Sequence, residues 1–407
     1  MSESTIGIIM NGVSGRMGYR QHLVRSILAI REQGGVELSD GTRVQVEPLL
    51  VGRNEAKLAE LAQRHGLEHY TTDLDAALAD DRWQVYADFL VTKARASAIK
   101  KAIAAGKAVY TEKPTAESFE EALELARLAQ AAGIKNGVVH DKLYLPGLRK
   151  LRRLIDSGFF GRILSVRGEF GYWVFEGDWM PAQRPSWNYR TEDGGGIVVD
   201  MFPHWNYVLE YLFGRVESVY ARAVTEIPER IDEQGRRYAA TADDAAYAVF
   251  DLAGGITAQL NSSWTTRVNR DELVEFQVDG THGSAVVGLF GCKIQPRNAT
   301  PRPTWNPDIP DTHDYASDWH EVPPLDLNGA EAFENGFKVQ WEEFIRHIAE
   351  DAPFPYDFLS GARGVLMAEK GLESSRTGAR VDVPEVTLDS LDRAGREQDG
   401  DLVGAAR

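Results

Sequence analysis

The chain of 407 residues contains a single cysteine, Cys292. No intramolecular disulfide can form, and neither a thiol redox pair nor a cysteine-based zinc site has support, so no metal site is read. Long apolar runs are missing too: no stretch of about 18 apolar residues offers a membrane span. Residues 1–5 are short and polar, without the basic and then apolar regions of a secretory signal, and a cytoplasmic protein is expected. Basic residues are outnumbered, 45 Lys and Arg against 61 Asp and Glu, for a formal net charge of −16. That balance disfavours nucleic acid and anionic membranes as partners, and its plain consequence is solubility. Internal repeats are absent. What is present is ordinary for a globular protein, with 43% hydrophobic and 26% charged residues. The length exceeds one typical core, so two domains are expected.

The N-terminal part alternates strand and helix patterns separated by tight glycine turns. Strands are expected at residues 6–10, 44–51, 83–91 and 108–110, and helices at 18–32, 55–65, 96–105 and 119–132. This alternation marks a doubly wound parallel sheet. Beyond about residue 160 the pattern changes. Residues 163–173, 216–224, 245–252, 256–264 and 273–278 alternate apolar and polar positions and are rich in β-branched and aromatic types, as strands are. Gly254 and Gly255 link two of them as a hairpin does, which suggests one antiparallel sheet. Residues 300–324, rich in Pro, Asp and Trp, are read as a long ordered loop or a lid. Helical spacing returns at 337–349 and 361–375.

Gly12, Gly15 and Gly18 form G-x-x-G-x-x-G between the first strand and the first helix. Backbone amides and a helix N-terminus there suit a pyrophosphate, so a dinucleotide is expected. The first glycine permits the turn, the second lets phosphates approach, and the third lets helix and sheet pack closely. Ser14, Arg16 and Met17 belong to the same loop. The end of the second long strand discriminates between dinucleotides, because an acidic residue there binds the adenine ribose of NAD. Here it reads Gly52-Arg53-Asn54. A small residue followed by arginine suits a 2′-phosphate, which favours NADP over NAD. The alternative is that Arg53 is a solvated arginine at a helix start.

Glu112-Lys113-Pro114 follows a strand at the carboxyl edge of the parallel sheet, where ligands of such sheets bind. A lysine there can sit beside a nicotinamide and a substrate hydroxyl, and the proline suits a fixed turn or a cis bond. Further on, Gly194-Gly195-Gly196 precede Asp200 and His204, which share one helix face at i and i+4. A carboxylate beside an imidazole is an acid/base pair, since it can orient the ring or raise its pKa. The alternatives are helix capping for Asp200 and a satisfied core histidine for His204.

Together these motifs, with residues 151–163 and the segment 243–264, resemble the glucose–fructose oxidoreductase/inositol dehydrogenase family (Gfo/Idh/MocA) over roughly residues 6–384. The resemblance implies a Rossmann domain over 1–140 and a substrate-binding and oligomerisation domain over 141–384. The latter is an α+β domain with a large, open, mostly antiparallel sheet. A helix at 361–378 is expected to pack back on the first domain, and 385–407 form a polar tail. The implied reaction is hydride transfer between NAD(P) and a secondary alcohol or ketone of a sugar, inositol or glycoside, in a homodimer or homotetramer. Lys113, Asp200 and His204 match the family's catalytic residues and would form one site where the domains meet. His204 would take the hydroxyl proton, Lys113 would polarise the oxygen or share in the proton transfer, and Asp200 would position the substrate and hold His204 in the useful tautomer. The glycines at 194–196 would make room for nicotinamide and sugar. Cofactor contacts would fall to the Gly12–Gly18 loop, Gly52, Arg53, Asn54, Thr92, Glu112 and Lys113.

The sequence also departs from the family pattern. Thr92 survives, but the proline and histidine that often follow are replaced, and Lys93 or Arg95 either contacts the cofactor or is solvated. His140, Asp141, Lys142 and Tyr144 stand where an arginine-rich turn is common, so substrate contacts are expected from them. An aromatic insert over 172–190 includes Trp173, Trp179, Trp187, Asn188, Tyr189 and Arg190, types that stack on sugars or donate to hydroxyls. An interface or core patch is the alternative for it. Three other readings compete: an NAD-dependent glycosidase that oxidises, eliminates and re-reduces; an NADPH-dependent dihydrodiol or imine reductase; and a non-catalytic sensor, against which Lys113, Asp200 and His204 count.

Overall fold

The computed structural model describes residues 4–270, 272–298, 319–323 and 335–389. They fall into two compact units. One comprises Met1–Val139, Gln340–Leu366 and Pro384–Arg407; the other comprises His140–Val339 and Met367–Val383.

The first unit is built on strands β1 (Ser4–Asn11), β2 (Val36–Glu37), β3 (Arg43–Val51), β4 (Tyr70–Thr71), β5 (Val85–Asp88), β6 (Ala108–Thr111) and β7 (Asn136–Val138). Their order is β2-β3-β1-β5-β6-β7, with β4 on β3. All pairs are parallel except β2 with β3. The chain passes from β1 to β3 on one side and later returns to β5 on the other. The strand order therefore reverses beside β1, and ligands of such sheets bind at the carboxyl ends there. This is a Rossmann-type doubly wound sheet. The residues that read as a buried strand over 83–91 form only the short β5. Trp83 N–H closes a turn on the Asp80 carbonyl. At the other end the Asp88 carboxylate accepts Leu90 N–H at 3.2 Å, a side-chain turn that stops the strand. The helix that follows begins at Thr92 rather than at residue 96 and runs to Ala104.

The second unit carries a nine-stranded sheet. Its strands are β8 (Ile163–Phe170), β9 (Val216–Val224), β12 (Ala245–Leu252), β13 (Ile256–Ser263), β14 (Val274–Gly280), β15 (Gly283–Val287), β16 (Cys292–Pro296), β17 (His320–Glu321) and β18 (Val381–Asp382). A separate hairpin pairs β10 (Glu229–Ile231) with β11 (Arg237–Ala239). The order is β17-β16-β15-β14-β8-β13-β12-β9-β18. It is mostly antiparallel, as expected, with one parallel pair, β8 and β13. One face packs under the helix Ile197–Phe213: Trp205 stacks edge-on against Phe170 and Phe276, and Phe202 against Phe250. Of the loop or lid read at 300–324, only 319–323 lie among the described residues, and there β17 pairs with β16. No described helix is long and apolar enough to cross a membrane.

Candidate active site

In the first unit the glycine loop starts as β1 ends. Gly12 has φ +84°, and a Cβ there would lie 2.9 Å from the Phe89 backbone, so both conformation and space demand glycine. A Cβ on Gly18 would lie 2.9 Å from the Gly12 carbonyl oxygen and the Val13 Cα. The loop is thus folded tightly over the ends of β1 and β5, with Ser14 and Met17 half-buried and Arg16 exposed. Such a turn at a helix start fits the pyrophosphate of a dinucleotide. Gly12 N–H donates to the Val51 carbonyl at 3.0 Å, which brings the end of β3 alongside. There Gly52 leaves ordinary space in front of Leu58 and Ser14, and Arg53 is exposed. Asn54 is otherwise employed than expected: its side chain caps the helix Glu55–His65 by accepting Lys57 N–H at 3.0 Å. Lys57, not singled out in the sequence, reaches the loop and donates from Nζ to the Ser14 carbonyl at 3.1 Å.

The Glu112-Lys113-Pro114 turn follows β6, and its Lys113–Pro114 bond is cis. Lys113 is half-buried, Thr92 likewise, and Glu112 is buried. Burial pushes the Glu112 carboxyl up. The hydrogen bond from His22, with the charges of Lys113 and Arg95, outweighs this and holds it below the usual range. Its Oε1 lies 2.8 Å from His22 Nε2, and its Oε2 accepts Lys113 N–H at 3.2 Å. Trp341 Nε1–H donates to His22 Nδ1 at 3.0 Å. An indole only donates, so His22 Nε2 carries the hydrogen given to Glu112. Neither reading of Arg95, as cofactor contact or solvated cation, describes its place. It is buried, donating to Asp88 at 2.9 Å, to the Leu90 carbonyl at 2.7 Å and to the Pro114 carbonyl. It ties the end of β5 to the lysine turn. Burial raises the Asp88 carboxyl, and Arg95 acts against that. Lys93 is exposed.

In the second unit Asp200 and His204 stand one turn apart on the helix Ile197–Phe213. Two of the glycines before it, Gly195 and Gly196, meet the protein's own chain. A Cβ on Gly195 would lie 2.4 Å from the Asn188 carbonyl oxygen, and one on Gly196, at φ +133°, would lie 2.7 Å from Asp243 Oδ1. That Asp243 carboxylate caps the helix by accepting Val198 N–H at 2.8 Å. His204 is 5% exposed. Its Nδ1 lies 2.6 Å from the Tyr207 hydroxyl and its Nε2 3.3 Å from Lys142 Nζ. Tyr207 in turn reaches Asp141 Oδ1 at 3.4 Å. The group on Nδ1 is therefore Tyr207. Asp200 pairs with Arg184 at 2.8 Å, and that guanidinium lies 4.7 Å from the Trp264 ring centroid and 5.3 Å from that of Phe175.

The remaining expected substrate residues separate into two groups. Trp173 and Trp187 are exposed, at 43% and 46%. Tyr189 belongs to the core: it is 1% exposed, donates to the Phe175 carbonyl at 2.8 Å and lies under Arg230. Arg190 pairs with Asp193 at 3.5 Å and covers Tyr238. His140 and Tyr144 are buried, and the His140 ring stacks on Tyr207 at 4.1 Å. Burial pushes the His140 imidazole down to about 3. Tyr207 and Arg184 gave no signal as isolated letters. Only their placement around His204 and Asp200 identifies them.

A glycine turn at a Rossmann switch point suits a dinucleotide, and a lysine turn lies on the same edge of that sheet. Residues 9–140 match the oxidoreductase family with an NAD-binding Rossmann fold, and residues 148–286 match the GFO/IDH/MocA C-terminal domain. The chain is 59% identical over 387 residues to a D-xylose dehydrogenase of Paenarthrobacter nicotinovorans, covering 94% of this chain and 98% of that protein. A levoglucosan dehydrogenase of Pseudarthrobacter phenanthrenivorans is 24% identical over 367 residues, 84% of this chain and 90% of the relative. A solved structure of levoglucosan dehydrogenase in complex with NADH shares the fold, with a TM-score of 0.76 at 21% identity over 95% of this chain and all of that one. The chain belongs to the Gfo/Idh/MocA family of NAD(P)-dependent oxidoreductases.

Proposed function

We propose that this enzyme is a sugar dehydrogenase, with D-xylose the first substrate to test. The observation that carries this reading is the 59% identity to a D-xylose dehydrogenase along nearly its whole length. The presence of Lys113, Asp200 and His204 in this chain supports it. A nicotinamide dinucleotide, when bound, would supply the hydride acceptor. His204 takes the proton of the reacting hydroxyl on Nε2, and Lys113 serves as a second acid/base candidate. Asp200, Arg184 and Lys142 bind the other sugar hydroxyls by charge-assisted hydrogen bonds. The exposed faces of Trp173 and Trp187 offer stacking surface for a sugar ring.

We further infer a preference for NADP over NAD. Gly52 in place of a carboxylate supports it, as do the neighbouring cations Arg53 and Lys57. A panel of pentoses, hexoses, inositols and glycosides, run with each cofactor and followed by reduced-nicotinamide absorbance, tests the substrate. Rapid reduction with D-xylose is expected, and activity confined to non-sugar alcohols would refute the reading. Calorimetric titration should show tighter binding of NADP, and tighter NAD binding would refute the Arg53 and Lys57 argument.

A further inference from the structure

We propose that Tyr207, backed by Asp141, is the positioning residue that fixes the His204 imidazole with its hydrogen on Nδ1 and its lone pair on Nε2. The inference rests on the reading of His204 as the proton acceptor. Donor and acceptor roles determine the arrangement. The Lys142 ammonium only donates, and its Nζ stands 3.3 Å from His204 Nε2, so Nε2 is the accepting nitrogen. Nδ1 therefore carries the ring hydrogen and gives it to the Tyr207 oxygen at 2.6 Å. The Tyr207 hydroxyl hydrogen is then available for Asp141 Oδ1, a carboxylate that only accepts, at 3.4 Å. Asp141 also lies 3.9 Å from Lys142, which closes a ring of four side chains.

The placement of each group follows from the chain. Tyr207 is one helical turn beyond His204, at i+3. It is 4% exposed, and its ring is stacked on His140, so the hydroxyl is held in place. Asp141 and Lys142 come from the short turn Asp141–Tyr144. When His204 accepts a proton, the imidazolium is stabilised through Tyr207 by the Asp141 carboxylate and opposed by Lys142. His140, stacked on Tyr207, is buried, and Asp200, one turn earlier, is neutralised by Arg184. Losing the Tyr207 hydroxyl thus lowers the basicity of His204 and frees the ring to adopt the other tautomer.

The test uses the full-length enzyme and its Tyr207→Phe, Asp141→Asn and His204→Asn variants. Imidazole ¹⁵N spectra of the ligand-free protein, assigned by the signals lost in His204→Asn, should show Nδ1 protonated and Nε2 bare in the wild type. In Tyr207→Phe a mixture is expected. With D-xylose and NAD(P) the Tyr207→Phe enzyme should lose about 10-fold in kcat, as for a weakened general base. Its acidic limb should move to lower pH, with cofactor affinity unchanged and Asp141→Asn following in the same direction. A wild-type ring protonated on Nε2 would overturn the inference. So would a Tyr207→Phe enzyme that melts lower yet keeps the wild-type tautomer and acidic limb, because that pattern belongs to packing alone. If His204→Asn retains full turnover while the spectra are as expected, the proton-acceptor reading fails and the tautomer assignment stands.

Discussion

His22 illustrates what one buried side chain does in the first unit. It joins Trp341 to Glu112, and Glu112 holds the backbone of Lys113. The types of Lys113 and His204, in their local patterns, were legible as acid/base candidates. Lys113→Ala and His204→Ala are each expected to cut turnover by about 10²-fold or more, as for loss of a general acid/base; steady-state rates near wild type in either would remove that residue's role. Their supports were not legible. Trp341 lies 319 positions from His22, and no local periodicity connects them. Arg95 looked like a surface cation because a letter carries no burial, and Asp88, the partner that makes burial tolerable, is seven positions back. His140 makes a separate prediction. Its imidazole titrates near 3 in the folded protein against 6.5 for an ordinary histidine. Between those values the unfolded chain binds the extra proton, so stability falls as pH drops through that window, by up to about 1.4 kcal/mol per pH unit. His140→Phe keeps the stack on Tyr207 and removes the titration. Its denaturant midpoint should fall less on acidification from neutral pH than that of the wild type; an equal fall would contradict the assignment.

Among the elements, those with their own punctuation were read well. The helix Phe119–Ala132 starts at the Ser118 cap and ends at Gly133 in the left-handed region, both visible as letters. The hairpin of β12 and β13 turns through Gly254 and Gly255 as expected. The strand expected over 83–91 was overextended because one end is set by the Trp83 backbone turn onto Asp80 and the other by side-chain bonds of Asp88 and Arg95, which hydrophobic patterning does not register. The glycines at 194–196 show the same limit. Their presence signalled close approach, and at Gly195 and Gly196 the approaching groups are Asn188 and Asp243 of this chain. Gly196→Ala therefore acts on the helix that carries Asp200 and His204. At φ +133°, with Asp243 2.7 Å from the new Cβ, the helix start must shift. If Asp200 and His204 act as proposed, turnover should fall by about 10-fold or more, since small misplacement of such groups is costly. Dinucleotide affinity should stay at the wild-type value in a binding titration, and unchanged turnover would show that the cap does not position the site.

For the whole molecule, composition bounded the class and the motifs supplied the family. The alternation of strands and helices gave the Rossmann unit, and the run of strands gave the second sheet, apart from the parallel pairing of β8 and β13, which no local pattern encodes. An acidic chain with a net charge of −16 and a dinucleotide-type glycine turn suits a small neutral substrate better than a polyanion. The central claim is net oxidation of a sugar, as distinct from transient oxidation followed by re-reduction. The most direct measurement is the stoichiometry of the purified enzyme acting on D-xylose with excess oxidised cofactor. One reduced nicotinamide should accumulate for each D-xylose consumed; no consumption of D-xylose, or consumption without accumulated reduced cofactor, would contradict net oxidation.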